Sequence, residues 1–257
     1  MKTEERPEKS STLIGVERTA RVLSAVADAN VGNLTEISRR TELNEATVLR
    51  YLNSLAALGY IERFNATQYR LGWEVFRLGQ RAFSGQVPSE AVLPTMERLM
   101  HEFNETVNFA AHKERSVVIL EVVEGRRAVK KVSDVGQSDP WHASALGKAL
   151  LATMPDSVWH DIVASAGLPE LTPHTITTMK RMDAEVKEIR TLGFAVDREE
   201  AAEELTCVAA AIPTSDGGPS RYALSISFLT HRLTPESLEH AGAQVIAGAQ
   251  EIAKKLP

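Results

Sequence analysis

The chain has 257 residues, of which 43% are hydrophobic and 25% charged, and its formal net charge is −5. This length suits two domains, and the composition is that of a globular protein rather than a disordered or fibrous one. A single cysteine excludes an internal disulfide, and the apolar runs are strand-sized, too short to cross a bilayer. The charged N-terminal stretch lacks the apolar core of a secretory signal, so we expect a cytoplasmic protein without a membrane partner.

The charge is unevenly distributed along the chain. Residues 1–85 contain 12 Lys and Arg against 10 Asp and Glu, whereas residues 86–257 contain 17 against 24. The asymmetry favours two domains with different tasks, the first of which meets an anionic partner.

The first part of the chain is predicted to fold as helices followed by a hairpin. Residues 1–11 have the composition of a disordered tail. Apolar residues then recur at helical spacing in three stretches, the third with Asn44 as its N-cap and Gly59 as its stop. Two strands around a polar tip follow, and then a linker helix. The predicted helices are 15–29, 34–41, 45–58 and 73–87, and the predicted strands are 60–64 and 68–71.

The second part is predicted as a mixed α and β domain, residues 88–257. Its strands follow one another through hairpins, one of them at Glu124-Gly125, and its helices are gathered apart. This order is typical of an α+β fold on an antiparallel sheet. Helices are predicted over 90–103 and 235–255 and from about residues 143, 156 and 179, and strands over 106–111, 116–124, 128–133, 194–197, 206–212 and 222–229.

Three short helices followed by a hairpin are the order of a winged helix-turn-helix, whose later helix enters the major groove of DNA. Such a helix needs an apolar inner face, which Val48, Leu52 and Leu55 supply, and an outer face that can form hydrogen bonds. Arg50 is able to pair with both acceptors of a guanine, and the other arginines are placed to meet phosphates. The candidate DNA-binding residues are Arg39, Arg40, Asn44, Glu45, Thr47, Arg50, Asn53, Arg63 and Arg70.

A second interpretation of the same pattern remains open, namely a small helical domain that mediates protein contacts without DNA. Glu45 favours it, because a carboxylate at the start of the third helix repels phosphate unless it accepts a hydrogen bond from a cytosine amine. The same carboxylate stabilises the helix through its dipole.

Nearly the whole chain resembles the IclR family of bacterial transcriptional regulators. The resemblance rests on GVERTARVLSAV, LTEISRRTELNEATVLRYLNSLAALGYI and YRLG in the first part, and on HASALGKALLA, LTPHTIT, GFAVDREEAAEELTCVAAAIP and ALSIS in the second. It implies a winged-helix domain (residues 12–72), a linker helix and a GAF-like effector-binding domain. It also implies homodimers, often paired into tetramers, and no cofactor. Trp73, Phe76 and Phe83 on the linker helix are our candidates for the dimer seam.

The resemblance places a small-molecule effector at the start of the helix that follows DPWHAS. Backbone amides at a helix N-terminus attract an anion, so a small metabolic carboxylic acid is the expected ligand. Two features depart from the family pattern: Asn44-Glu45-Ala46 opens the recognition helix, and Trp141 stands where an aliphatic residue is usual. The candidate effector-binding residues are Trp141, His142, Ser144, Ala145, Leu146, Asp197, Leu205, Cys207, Ser225 and Ser227.

Several of these residues also have a purely structural interpretation. Ser225 and Ser227 alternate along a strand and fit a solvated face, and Cys207 lies among apolar neighbours and fits a buried core position. Asp197 fits a turn, and Trp141 and His142 fit local packing or capping.

An enzyme is the remaining alternative, with His142, Ser144 or Cys207 as its reactive group. The sequence around Ser144 lacks the G-x-S-x-G spacing of a nucleophile elbow, because Gly147 stands one position too far along. The seven histidines form no metal-binding pair at helical spacing, so neither a catalytic nor a metal site is predicted.

Overall fold

The computed structural model describes residues 13–83, 89–113 and 116–256. These residues form two separate compact units. The tail 1–11 and the end of the predicted linker helix, 84–87, lie outside the described residues. Within the described residues, no helix combines the length and the apolar character that a bilayer span requires.

The first unit has the predicted order of three helices, a hairpin and a further helix. A two-residue strand after the first helix was not predicted; it pairs with the second hairpin strand to give a three-stranded antiparallel sheet of order β1-β3-β2. The elements are α1 Ile14–Ala29, β1 Gly32–Asn33, α2 Leu34–Thr41, α3 Glu45–Ala57, β2 Ile61–Arg63, β3 Gln68–Leu71 and α4 Trp73–Phe83.

One apolar core holds α1, α2, α3 and the hairpin together. Val48, Leu52 and Leu55 of α3 are buried in it, as their spacing predicts. Asn44 accepts a hydrogen bond from the Thr47 amide at 2.8 Å, which confirms it as the N-cap of α3. Gly59, at φ 79°, ends that helix in a conformation that favours glycine. The apolar face of α3 is therefore buried in this core, and the opposite face of the helix points toward solvent.

The second unit is built on a six-stranded antiparallel sheet of order β6-β5-β4-β9-β8-β7. This confirms the predicted α+β class. The elements are α5 Ser89–Phe103, β4 Thr106–Lys113, β5 Ser116–Val123, β6 Ser138–Asp139, α6 Ala145–Ala152, α7 Asp156–Ala166, α8 Met179–Leu192, β7 Ala195–Arg198, β8 Leu205–Ala211, β9 Tyr222–Leu229, a 3-10 turn Thr230–Arg232 and α9 Pro235–Ala253.

The sheet has an apolar core on each face. On the outer face, α5 and α9 pack against alternate residues of the central strands, such as Val208 and Ile226. The inner face belongs to the core that includes α6, α7 and α8, and there Cys207 and Ala209 alternate with those outer residues. Strand alternation thus sends the polar residues of β9, Ser225 and Ser227, to the face that α6 covers.

The predicted strand over 128–133 and the predicted hairpin at Glu124-Gly125 are wrong. Residues 124–137 form no strand, because side chains of the α5–β4 junction take up backbone groups of this segment. Asn104 Oδ1 accepts from the Arg126 amide at 3.0 Å, and Thr106 Oγ1 donates to the Lys131 carbonyl at 2.7 Å. The strand that pairs with this edge of β5 is instead the short β6.

Candidate functional sites

The outer face of α3 forms the first candidate site, a surface suited to DNA. Asn44, Glu45, Arg50 and Asn53 are exposed there, and Thr47 is partly buried. Because the N-cap orders the first turn, these side chains project from a fixed helical frame. This arrangement is what a recognition helix requires.

The carboxylate of Glu45 is engaged within the protein. Thr35 Oγ1, in the first turn of α2, donates a hydrogen bond to Glu45 Oε1 at 2.7 Å. The contact ties the starts of α2 and α3 together and directs the negative charge toward α2. Glu45 therefore has a structural role in addition to its favourable position at the helix N-terminus.

The candidate arginines divide into paired and unpaired groups. Arg40 is paired with Glu36 at 3.0 Å, and Arg70 with Glu62. Arg39, Arg50 and Arg63 make no ion pair with any described residue. These three guanidinium groups are consequently the ones available to phosphate or base edges.

Two of the unpaired arginines share a concave surface between α2 and the hairpin. Arg39 and Arg63 line a cavity of about 740 Å³ together with Asn33 at the N-cap of α2 and Thr67 at the hairpin tip. The guanidinium of Arg63 lies 5.4 Å from the centre of the Tyr69 ring, which orients it along the hairpin. The cavity therefore combines positive charge and hydrogen-bond donors next to the hairpin, which is the wing of a winged helix-turn-helix.

The candidate dimer residues on α4 are exposed aromatics. Trp73 is 74% exposed and Phe76 is 55% exposed, and their rings meet edge to face at 5.0 Å. The side chain of Phe83 lies outside the described residues. Two adjoining exposed aromatic rings are characteristic of a protein interface.

The second candidate site lies at the N-terminus of α6. Ser144 is its N-cap, accepting from the Gly147 amide at 3.0 Å and donating to the Pro140 carbonyl at 2.6 Å. The backbone N–H groups of Ala145 and Leu146 make no hydrogen bond within the described part of the chain. Two open amides at a helix N-terminus provide a site for one anionic group.

A row of predicted residues crosses the inner face of the sheet next to this helix. Asp197 of β7 pairs across the strands with Cys207 of β8, which pairs with Ser227 of β9. The Cys207 thiol donates to Ser227 Oγ at 3.3 Å. Leu205 and Ser225 lie two positions away on the same face, so the sheet brings all five strand candidates together.

All ten candidate residues of the second site are buried. Ser225 and Ser227 are each 1% exposed, which excludes the solvated-face interpretation, and Leu205 is the most exposed at 8%. Trp141 is buried in the same apolar cluster as Leu146 and Cys207. The site is therefore closed to solvent in this structure.

Burial also sets the protonation of the site. It raises the pKa of Asp197 to about 7, against the lowering effect of the hydrogen bond from the Glu200 amide. It raises the pKa of the Cys207 thiol to about 12, so this group is a neutral donor at physiological pH. The pKa of His142 is lowered, again chiefly by burial, so its imidazole is neutral.

The geometry does not support the enzyme alternative. His142 Nε2 is hydrogen-bonded to the Pro169 carbonyl at 3.0 Å and Ser144 Oγ donates to a carbonyl, so the two do not form a base and nucleophile pair. A thiol with the pKa of Cys207 is a poor nucleophile. In the described part of the chain, no group of three or more His, Cys, Asp or Glu side chains is placed to hold a metal ion.

Two functional candidates were missed by sequence reasoning. Asn108 shares the inner face with Ser225, its cross-strand partner, and donates to Ser227 Oγ at 3.3 Å. Its polar side chain among the apolar residues of 107–111 was a usable signal. Lys148 of α6 is fully buried, and its ammonium donates to Glu185 at 2.6 Å, to the Val196 carbonyl at 2.7 Å and to Glu200. The sequence places Lys148 on a helix but gives no sign that its ammonium group is buried and bonded to these three distant residues.

Two protein-family models match the chain over most of its length. A model for the IclR helix-turn-helix domain matches residues 15–63. A model for the bacterial transcriptional regulator IclR C-terminal domain matches residues 86–254.

Several named transcriptional regulators are similar to this chain over most of their own length. The HTH-type transcriptional repressor AllR of Klebsiella pneumoniae is 31% identical over 231 residues, covering 87% of this chain and 82% of its own. The HTH-type transcriptional regulator KdgR of Escherichia coli K12 is 28% identical over 237 residues, covering 91% and 89%. Among solved structures, the IclR protein of Thermotoga maritima superposes with a TM-score of 0.75 at 24% identity, covering 94% of this chain and 98% of its own.

A helix-turn-helix unit with an open recognition helix, joined to a second unit with a closed polar site, defines a DNA-binding transcriptional regulator rather than an enzyme. The chain belongs to the IclR family of bacterial transcriptional regulators.

Proposed function

We propose that this regulator is a homodimeric repressor whose affinity for its operator changes when a small carboxylic acid binds in the second unit. The observation that carries the proposal is the closed site on the inner face of the sheet, where two open helix amides lie near the row Asp197, Cys207 and Ser227. An effector site of mixed amides, hydroxyls and apolar walls is the usual chemistry of a small-ligand pocket.

On the DNA side, Arg50 is the proposed base-reading residue and Arg39 and Arg63 the proposed phosphate contacts. These are the arginines without an acidic partner among the described residues. Arg40 and Arg70 are proposed as weaker contacts, because DNA must compete with Glu36 and Glu62 for them. Asn44, Glu45, Thr47 and Asn53 complete the proposed contact surface.

Repression and an acidic effector are supported by relatives. AllR, at 31% identity, is described as a repressor. A structural neighbour from Microbacterium hydrocarbonoxydans, with a TM-score of 0.76 and 24% identity, was crystallised with 4-hydroxybenzoate. The fold thus accommodates a small carboxylate in that protein, and the open amides of α6 supply a matching anion site here.

Regulation requires the effector to bind two arrangements of the protein with different affinities. A coupling free energy on the order of 1–3 kcal/mol is typical and changes operator affinity by about 5- to 150-fold. Dimerisation through Trp73 and Phe76, with Phe83 as a further candidate, would give the two-fold symmetry that a palindromic operator requires.

Footprinting of the purified protein on the DNA that flanks its gene, across a salt series, tests the proposal. We expect a nearly palindromic protected site whose affinity falls steeply as salt rises, because phosphate binding releases counterions. Addition of small carboxylic acids to the same complex should release the DNA.

The matched variants are Arg50→Ala and Arg21→Ala. Loss of a bidentate guanine contact should lower specific binding by about 1–3 kcal/mol, whereas Arg21, paired with Glu17 on α1, should be neutral. Equal operator affinity in both variants would contradict the base-reading role of Arg50.

A further inference from the structure

A cavity of about 420 Å³ lies on the outer face of the sheet, where the edge strand β7 meets the start of α9. Val196, Leu233 and Leu238 give this outer cavity apolar walls. Val196 pairs across the strands with Val208 of the outer core, so the cavity is on the opposite face of the sheet from the second candidate site. Its volume is within the range of small-ligand pockets, roughly 300–1,000 Å³.

Two consecutive residues of opposite charge, Arg198 and Glu199, both line the outer cavity. Consecutive residues of an extended strand point to opposite faces, so a regular backbone would separate the two side chains. Glu199 instead has φ 62°, a left-handed conformation that is uncommon for residues other than glycine. The strand alternation therefore ends at Arg198, and a cation and an anion meet at one cavity.

The left-handed turn at Glu199 is held in place by its neighbours. The amide of Glu199 donates to the Leu205 carbonyl at 3.0 Å, and Thr172 Oγ1 donates to the Glu199 carbonyl at 2.6 Å. The next amide, that of Glu200, donates to Asp197 Oδ1 at 2.7 Å. A strained residue persists only where its surroundings hold it, and such residues cluster at ligand sites. The turn thus points to a ligand here independently of the cavity's volume.

The polar groups of the outer cavity are open to a ligand. Among the described residues, the guanidinium group of Arg198 makes no ion pair or hydrogen bond. The carboxylate of Glu199 lies 3.5 Å from His174 Nε2, which is longer than an ordinary hydrogen bond. The hydroxyl groups of Thr206 and Thr230 line the same cavity 2.9 Å apart. Because one of them donates to the other, one hydroxyl hydrogen of the pair remains for a ligand.

We propose that the outer cavity binds a free α-amino acid with an apolar side chain. Its carboxylate pairs with Arg198 and its ammonium group with Glu199, while its side chain packs against the apolar walls. The two charged groups of an amino acid are attached to one carbon atom, so their protein partners must be neighbours, as these two residues are.

A zwitterion fits this arrangement of charges better than either single ion. A plain carboxylate that meets Arg198 lies beside the carboxylate of Glu199, and a plain amine that meets Glu199 lies beside the guanidinium group of Arg198. In each case the like charges repel each other. The site is separate from the effector site of the proposed function and does not depend on it.

Calorimetry on the full-length protein, with leucine and phenylalanine as probes, tests the proposal. Each amino acid is compared with its analogue without the amino group, isocaproic or hydrocinnamic acid, and with its analogue without the carboxyl group, isopentylamine or phenethylamine. The variants are Arg198→Met and Glu199→Gln. Arg181→Met and Glu203→Gln are the matched controls, since they remove exposed charges of the same sign that do not line the cavity.

We expect each amino acid to bind more tightly than both of its analogues. Arg198→Met should weaken this binding at least about tenfold, as expected for loss of a charge-assisted hydrogen bond, and the two controls should leave it unchanged. Glu199→Gln should weaken binding of the amino acid yet strengthen binding of the analogue without the amino group, because it removes the repulsion between the carboxylates. A merely structural role of Glu199 would not produce this reversal.

Unchanged binding in both cavity variants would place the amino acid elsewhere and overturn the assignment. Equally tight binding of the analogues would overturn it as well, and so would the absence of binding by either amino acid at millimolar concentration. These outcomes are read from ligand binding alone. Failure of operator binding or release would therefore reject the proposed function and leave this site standing.

Discussion

Asp197 provides a quantitative test of the closed site, through the variant Asp197→Asn. Burial raises the pKa of this carboxyl to about 7, whereas an aspartate in the unfolded chain titrates near 3.9. The folded state therefore binds the proton more tightly than the unfolded state. The resulting stabilisation is fully present below about pH 4 and is lost as the pH rises through about 7.

The magnitude follows from the difference between the two pKa values. Each pH unit corresponds to about 1.4 kcal/mol, so about three units correspond to about 4 kcal/mol as an upper figure. Asparagine keeps the oxygen that accepts from the Glu200 amide at 2.7 Å and the Ala201 amide at 3.3 Å, and it never ionises. At pH 8 the variant should thus be more stable than the unsubstituted protein by about 2–4 kcal/mol, and near pH 4 the difference should vanish.

Urea unfolding at pH 4, 6 and 8 measures the difference in the free energy of unfolding. The unfolding is monitored by tryptophan fluorescence in a Trp73→Phe background, so that the signal comes from Trp141 and Trp159 in the second unit. Burial raises the pKa of Asp139 as well, but Asp139 titrates in both proteins and cancels in the comparison. The charge of Glu200 helps to raise the pKa of Asp197, so relief of that repulsion is already part of the expected gain. Asp216→Asn, in an exposed turn, is the control and should show no such pH-dependent gain. Parallel stability curves for Asp197→Asn and the unsubstituted protein would refute the reasoning.

Three further changes test other parts of the structure. Lys148→Met should lower the free energy of unfolding, measured in urea, by about 3–5 kcal/mol, because it leaves the buried carboxylate of Glu200 without its partner. The double variant with Glu200→Gln should recover part of this loss. Gly147→Ala should destabilise by about 1–3 kcal/mol in the same assay, since a Cβ there would lie 2.5 Å from the Trp141 carbonyl oxygen; unchanged stability would contradict the tight turn. Trp73→Ala should weaken the proposed dimer in sedimentation equilibrium while leaving the free energy of unfolding of a single chain nearly unchanged, because the ring is 74% exposed within the chain.

Elements with strong local signals were predicted closely. The helix 34–41 and the strands 68–71 and 222–229 have the bounds that the sequence indicates. For α3 as well, hydrophobic periodicity agrees with Asn44, the N-cap directly before it. Such signals depend on neighbours within a few residues and can be read without the rest of the fold.

The errors occurred where distant residues decide the backbone hydrogen bonds. The segment 128–133 has strand-like residues, but Asn104 binds the backbone of Arg126 just before it and Thr106 binds the backbone of Lys131 within it, and the segment forms no strand. β6 was missed for a related reason, since its two residues form a strand by pairing with the distant Val117 and Val118. Competition of this kind is not encoded in local periodicity.

The sequence by itself determined the family, the order of the elements and the residue types of both candidate sites, because motif spacing and periodicity are local properties. Only the tertiary structure decided which charges are free and which polar groups are buried. Among the described residues Arg50 is unpaired while Arg40 is not, and Ser227 is enclosed rather than solvated. Pairing and burial depend on elements far apart along the chain, and a group's pKa and binding capacity follow from them.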